Sequence, residues 1–150
     1  LDEAMRIGDR IAVMESGRIV QVATPQEIVT NPANDYVRSF FKGVDVSRVF
    51  TAGDICSRDI LPERAVDGTD AAAQPANDTA AVLLDTAHHY AGMAANGANG
   101  AEPLAAATPL SEMLHVVANA PHPVPVVDAG GRYLGAVSQR TLLQTLDRTR

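Results

Sequence analysis

Apolar and polar positions alternate in two different registers along this chain, and the switches between them mark its elements. Leu1, Ala4 and Met5 share a helical face, so the chain opens inside a helix, without a start methionine, and reads as a piece of something longer. Two runs rich in β-branched residues, 10–14 and 18–22, flank Glu15-Ser16-Gly17 and predict a hairpin whose glycine supplies the positive φ of the turn. At Thr24-Pro25-Gln26-Glu27 a helix should begin: Thr caps, Pro takes the first helical position, and Glu27 completes a capping box. Asn31-Pro32 stops it. A further helix over 33–41 places Tyr36, Val37, Phe40 and Phe41 on one face.

Residues 66–79 and 95–103 are rich in Ala, Gly, Asn and Asp and follow neither period, so both read as loops. Order returns at Thr108-Pro109, the start of a helix with Leu110, Met113, Leu114, Val117 and Ala118 in the i, i+3, i+4, i+7, i+8 pattern. Pro121 and Pro123 end it. Residues 124–127 then predict a buried strand, Asp128-Ala129-Gly130-Gly131 a turn, and 133–137 the returning strand. A last helix over about 139–146 should bury Leu142, Leu143 and Leu146.

Moving "VDAGGRYLGAV" (127–137) back 43 positions sets it on "LDTAHHYAGMA" (84–94), with Asp128 on Asp85, Tyr133 on Tyr90 and Gly135 on Gly92. The second unit is therefore helix, strand, turn, strand, helix, and the first copy repeats its hairpin. The flanking helices do not repeat at that shift: Leu110, Met113 and Leu114 fall on Asp67, Asp70 and Ala71, and Leu142, Leu143 and Leu146 fall on Asn99, Gly100 and Pro103. The first copy reads as degenerate.

Charge and candidate chemistry remove function classes more than they add any. The net charge of -6 is uneven, with seven acids against two bases in residues 51–100. That balance excludes nucleic acid as a partner, because phosphate neutralisation needs clustered Lys and Arg. No apolar run reaches the roughly 18 residues of a membrane span, and Asp2 and Glu3 do not fit a secretion signal, so a cytoplasmic location is expected. A single cysteine, Cys56, allows no intrachain disulfide and reads as a small buried hydrophobe. His88, His89, His115 and His122 lack the spacing of a helical metal site, so no metal is expected. Gly97-Ala98-Asn99-Gly100 carries no lysine for phosphates, and Ser16 and Ser138 lack the glycine-flanked setting of an activated nucleophile. No catalytic residue is identified, and this chain alone is expected to hydrolyse nothing.

Two resemblances cover nearly all of the chain. Residues 1 to about 42, "LDEAMRIGDRIAVMESGRIVQVATPQEIVTNPANDYVRSFF", resemble the end of the ATP-binding subunit of an ABC importer. "NDYVRSFF" (34–41) followed by "GVDVS" (43–47) resembles, within that family, the glycine betaine/proline subgroup, whose members carry a pair of CBS modules after the ATPase. Residues 108–150 resemble the second of those modules. The resemblance implies an α/β fold: the end of an ATPase domain with its linker over 1–50, a degenerate first CBS module over 51–107 and a second over 108–150. It implies a regulatory tail on an osmoprotectant importer, tuned by salt-sensitive contacts, peripheral to the inner face of the cell membrane. ATP and magnesium would serve the parent ATPase, whose switch histidine would precede Leu1. Partners would be the chain's own ATPase core, a second copy of the subunit and the membrane subunit.

CBS pairs bind adenine nucleotides between modules, and the resemblance points to Thr108, Val137, Ser138 and Thr141 as ligand-binding candidates. In "GAVSQRT" (135–141) Ser138 fits the family pattern, but Thr141 stands where an aspartate grips the ribose, and a hydroxyl lacks a carboxylate's two-acceptor, charge-assisted hold. The first copy offers only Ala95 and Ala98 at those two places. Ser138 could instead cap the helix it precedes. Arg132, Arg140, Arg148 and Arg150 could meet an anionic membrane surface or a partner, each basic side chain being worth about 1 kcal/mol there, or could form a solvated face. Alternatives to the regulatory reading are an adenine-nucleotide or cyclic-dinucleotide sensor and a structural dimerisation platform.

Overall fold

The computed structural model describes residues 1–66, 80–94 and 102–148. Helix α1 (Asp2–Ile7) leads into a hairpin of β1 (Ile11–Glu15) and β2 (Arg18–Ala23), an antiparallel pair whose turn puts both Ser16 and Gly17 at positive φ, as a two-residue mirror-image turn requires. Helix α2 (Pro25–Thr30) follows on the anticipated capping box: Glu27 N donates to Thr24 Oγ1 at 3.3 Å, and Thr24 N donates to Glu27 Oε2 at 2.9 Å. Helix α3 (Asp35–Phe40) is capped by Asn34, whose Oδ1 accepts from Val37 N. Val37 and Phe41 are buried, but Tyr36 and Phe40 stand out on the surface, which corrects the expectation of one four-residue apolar face. Val37 and Phe41 are four apart and stack on one side. Tyr36 leans the other way and donates its hydroxyl to Met14 O at 3.3 Å.

Two one-turn helices, α4 (Val46–Val49) and α5 (Ala52–Ile55), form the connection to a pair of three-stranded sheets. The first sheet has β3 (Glu63–Ala65) parallel to β4 (Ala81–Leu84), and β4 antiparallel to β5 (Tyr90–Ala94). The second has β6 (Leu104–Ala105) parallel to β7 (Val124–Val127), and β7 antiparallel to β8 (Tyr133–Val137). Helix α6 (Leu110–Asn119) connects β6 to β7, and α7 (Gln139–Arg148) follows β8. Both hairpins obey the 43-residue shift strand for strand, and both carry a register break at the same place, Leu83/Leu84 and Val126/Val127. The leading strands do not: Arg64 faces Leu83 as Leu104 faces Val126, a shift of 40. The gapless alignment therefore fails upstream of the hairpin. The second sheet also takes its first strand from Leu104–Ala105, ahead of the expected boundary at 108. Of the expected loops at 66–79 and 95–103, residues 67–79 and 95–101 lie outside the described residues.

Burial separates the apolar side chains into two clusters. The larger runs from Met5, Val13, Ile28 and Val37 through Val49, Phe50 and Ala52 to Leu110, Met113, Val117, Val126 and Leu142. The hairpin-and-helix unit and the second sheet thus share one core. The smaller cluster holds Leu61, Ala80, Val82 and Leu84 of the first sheet, completed by Tyr133 and Ala136 of β8. Among the described residues of α7 only Leu142 is buried; Leu143 is 68% exposed and Leu146 37%, so the expected three-leucine core face narrows to one residue.

Candidate functional site

Each hairpin turn is built by an aspartate. Asp85 Oδ1 accepts from Ala87 N and His89 N, both at 2.9 Å, and Asp128 Oδ1 accepts from Gly130 N and Arg132 N at the same distance. The short polar side chain replaces backbone partners that a tight turn cannot supply. The two turns then face one another. Tyr90 N donates to Gly131 O at 3.0 Å and Tyr133 N to His88 O at 3.1 Å, with His89 bridging Arg132 between them. Residues 43 apart exchange equivalent bonds, so the seam between the two sheets is a local two-fold.

Behind the seam, Tyr133 is 3% exposed and its hydroxyl finds no hydrogen-bond partner. Burial, assisted by Glu63, pushes its phenol up to about 12. Arg58 sits 6.0 Å over the ring and holds Glu63 by two bonds, Nε to Oε1 at 2.7 Å and Nη2 to Oε2 at 2.9 Å. That fork keeps the Glu63 carboxyl below the usual carboxylate range. Cys56, half-buried beside this group, has its thiol raised by burial and donates to Gly53 O at 3.5 Å, the setting of an unreactive thiol.

Ser57 adds a short fourth lane to the second sheet: Ser57 N donates to Ala136 O at 3.0 Å and Ala136 N to Ser57 O at 2.9 Å. With Ile60, Ser138, Arg140, Thr141 and Thr145 it lines a cleft of about 280 Å³ between the entry to the first sheet and α7. Here the structure brings two of the four ligand candidates together. Ser138 Oγ accepts from Thr141 N at 3.1 Å, Thr141 Oγ1 accepts from Ser138 N at 3.4 Å, and the two hydroxyl oxygens are 2.9 Å apart. This is a reciprocal cap of α7, and a ligand would compete for hydroxyls already engaged. Val137 is fully buried in the main core, and Thr108 lends its carbonyl to Ala52 N. Neither lines this cleft. Sequence reasoning missed Ser57, and the available signal was Gly135: a Cβ there would lie 2.8 Å from Ser57 C, so a strand must pass against it.

Of the four arginines, Arg132 is exposed on the seam turn and Arg140 is exposed at the start of α7, on the rim of the cleft. The Arg148 side chain and Arg150 lie outside the described residues. Among the described residues no cluster of three or more metal-ligating side chains forms, and no helix is long and apolar enough to cross a membrane.

Comparison with known proteins places this geometry. The chain is 45% identical, over 99% of its length, to the glycine betaine/proline betaine transport system ATP-binding protein ProV of Salmonella typhimurium, and 43% identical, over the same share, to ProV of Escherichia coli. It spans 42% of the length of each of these relatives. Against the glycine betaine transport ATP-binding protein OpuAA of Bacillus subtilis it is 59% identical over 39% of the chain, which covers 14% of that relative. No family model matches the chain. Among solved structures, the cystathionine β-synthase pair domain of a Mg2+ transporter from Shewanella oneidensis superposes with a TM-score of 0.52 at 14% identity, covering 75% of this chain and 84% of that one. A CBS domain-containing protein from Bacillus anthracis gives 0.51 at 14% identity, covering 71% of this chain and 99% of that one. At such identity the likeness speaks for the fold, a CBS pair.

Proposed function

We propose that this chain, which belongs to the family of glycine betaine-type ABC importer ATP-binding subunits, is the regulatory tail of such a subunit and tunes its ATPase through salt-sensitive contacts of the CBS pair. One observation carries the reading: a single apolar core runs from the hairpin-and-helix unit, the ATPase end, into the second CBS repeat, so a force on the repeats is felt across that boundary. ATP and magnesium act in the parent ATPase. The tail's partners are that ATPase, a second copy of the subunit and the transporter's membrane subunit, at the cytoplasmic face of the membrane. The divisions we propose are an ATPase end and linker over 1–50, a first repeat over 51–107 and a second over 108–150, the second drawing its first strand from Leu104–Ala105.

Contacts made through exposed charges weaken as the screening length contracts from about 10 Å at 0.1 M salt to about 3 Å at 1 M. Replacing Arg140, Arg148 and Arg150 together by Gln in the full transporter should therefore shift the salt concentration at which transport switches on, with ATP affinity unchanged. Transport into liposomes containing anionic lipid, across a salt series, is the test; an activation curve that does not move rules out this basic face as the sensor. A nucleotide in the cleft is the second reading, favoured by the cleft's polar rim of Ser57, Arg140, Thr141 and Thr145. Calorimetry with a panel of adenine nucleotides separates the two, since saturable heat lost on Thr141→Val belongs to the nucleotide reading alone.

A further inference from the structure

We infer that Gln26 is the side chain that ties α2 of the ATPase end to the linker segment 49–54, and that this segment carries the tie on to Ala106, Thr108 and Leu110 beside the second sheet. The inference rests on the regulatory reading above and names the route by which regulation travels. The linker between the two units is held along one side by the second repeat. Leu110 N donates to Phe50 O at 2.8 Å, Ala52 N to Thr108 O at 2.8 Å, and Gly53 N to Ala106 O at 2.9 Å. Three backbone bonds within four linker residues leave the segment little freedom to move apart from β6 and α6. The first sheet, by contrast, meets the second sheet at the turn seam and through Leu61, Tyr133 and Ala136.

From the other side comes α2. The Gln26 amide nitrogen has two hydrogens, and both find acceptors in the linker: Val49 O at 3.2 Å and Asp54 Oδ2 at 3.1 Å. Asp54 is already fixed when Gln26 arrives, because the same oxygen accepts from Thr51 N at 2.9 Å and Thr51 Oγ1 at 2.8 Å, the cap of α5. A preorganised, ionised acceptor makes the Gln26 bond stronger than its exposure alone suggests. Glu27, Thr30, Ile55 and Thr145 border an open crevice of about 380 Å³ at this junction, so α2 and α7 are not packed tightly there. The amide spans the gap that packing leaves, and Gln26 acts as a positioning residue between α2 and the linker.

Hydrogen exchange on the full-length subunit tests this directly. Gln26→Glu sets a carboxylate against Asp54, and exchange in the segments 24–31 and 49–55 should rise about tenfold, the equivalent of one charge-assisted bond. Gln26→Leu, which keeps the side-chain stem and removes both donors without adding a charge, should raise exchange in the same segments by about threefold or more, which separates loss of the bonds from the added repulsion. Strands β7 and β8 serve as the internal control and should not change. Gln26→Glu exchange within twofold of the parent overturns the proposal, and so does Gln26→Leu exchange indistinguishable from the parent. Exchange reads the tie itself and needs no transport, so the salt series can fail while this experiment succeeds.

Discussion

At the scale of single residues, two of the three identities shared by the two hairpins have a cause that the backbone imposes. Asp85 and Asp128 close their turns, and Gly92 and Gly135 occupy φ of +137° and +154°. The repeat was legible at these positions because such turn and φ requirements admit few substitutes, whereas Tyr90 and Tyr133 donate across the seam through backbone N–H groups that any residue but proline supplies. The two glycines nevertheless differ. An added Cβ at Gly92 meets nothing within 4 Å, whereas at Gly135 it meets Ser57 C, N and O at 2.8 to 3.0 Å. Gly92→Ala should therefore cost only the backbone strain, about 1–3 kcal/mol. Gly135→Ala adds the loss of the Ser57 pairing, a further ~1–3 kcal/mol for buried bonds left unmade. Denaturant midpoints compare the two, and equal losses would mean that Ser57 moves aside without cost. What the sequence concealed was Tyr133: a buried aromatic with an orphaned hydroxyl looks, as a letter, like any other strand residue.

At the scale of elements, periodicity located the long helices and misjudged their width. In α6, Leu110 and Met113 are fully buried and Val117 nearly so, while Leu114 is only half-buried and Ala118 is exposed. Helices α4 and α7 cover a stripe about one side chain wide, and the residues one step around the helix stay at its rim. Met113→Ala should accordingly cost about 2–5 kcal/mol and Leu114→Ala clearly less, since a rim position collapses with little residual cavity. Chemical denaturation of the two variants checks the order, and a reversed order would put Leu114 at the centre of the core. The same effect left Leu143 outside the core of α7. Helices α4 and α5 were invisible for a different reason: four residues complete one turn and carry no period to detect. Their capping residues, Asp45 and Thr51 with Asp54, were the readable trace.

At the scale of the whole molecule, the arrangement is a chain of dependence. Among the described residues, the first sheet's cluster has four buried side chains of its own, Leu61, Ala80, Val82 and Leu84, and is completed by Tyr133 and Ala136 of β8. The second repeat sits in the middle, joined to the hairpin-and-helix unit by a common core and to the first sheet by the seam. None of this was legible from the hydrophobic pattern, because a pattern assigns each element a buried face but not the element that covers it. Damage should therefore spread in one direction. Leu84→Ala, in the first sheet, should raise hydrogen exchange across 80–94 and leave the β1–β2 hairpin as protected as before. Leu110→Ala opens a cavity where the linker, α6 and the hairpin-and-helix unit meet, at a cost of about 2–5 kcal/mol, and exchange should rise from 11–55 through to the first sheet. Exchange by mass spectrometry on the full-length subunit reads both variants peptide by peptide. If Leu84→Ala loosens the hairpin as much as Leu110→Ala does, the first repeat reaches the hairpin-and-helix unit by a path of its own, and the second repeat is not the intermediary.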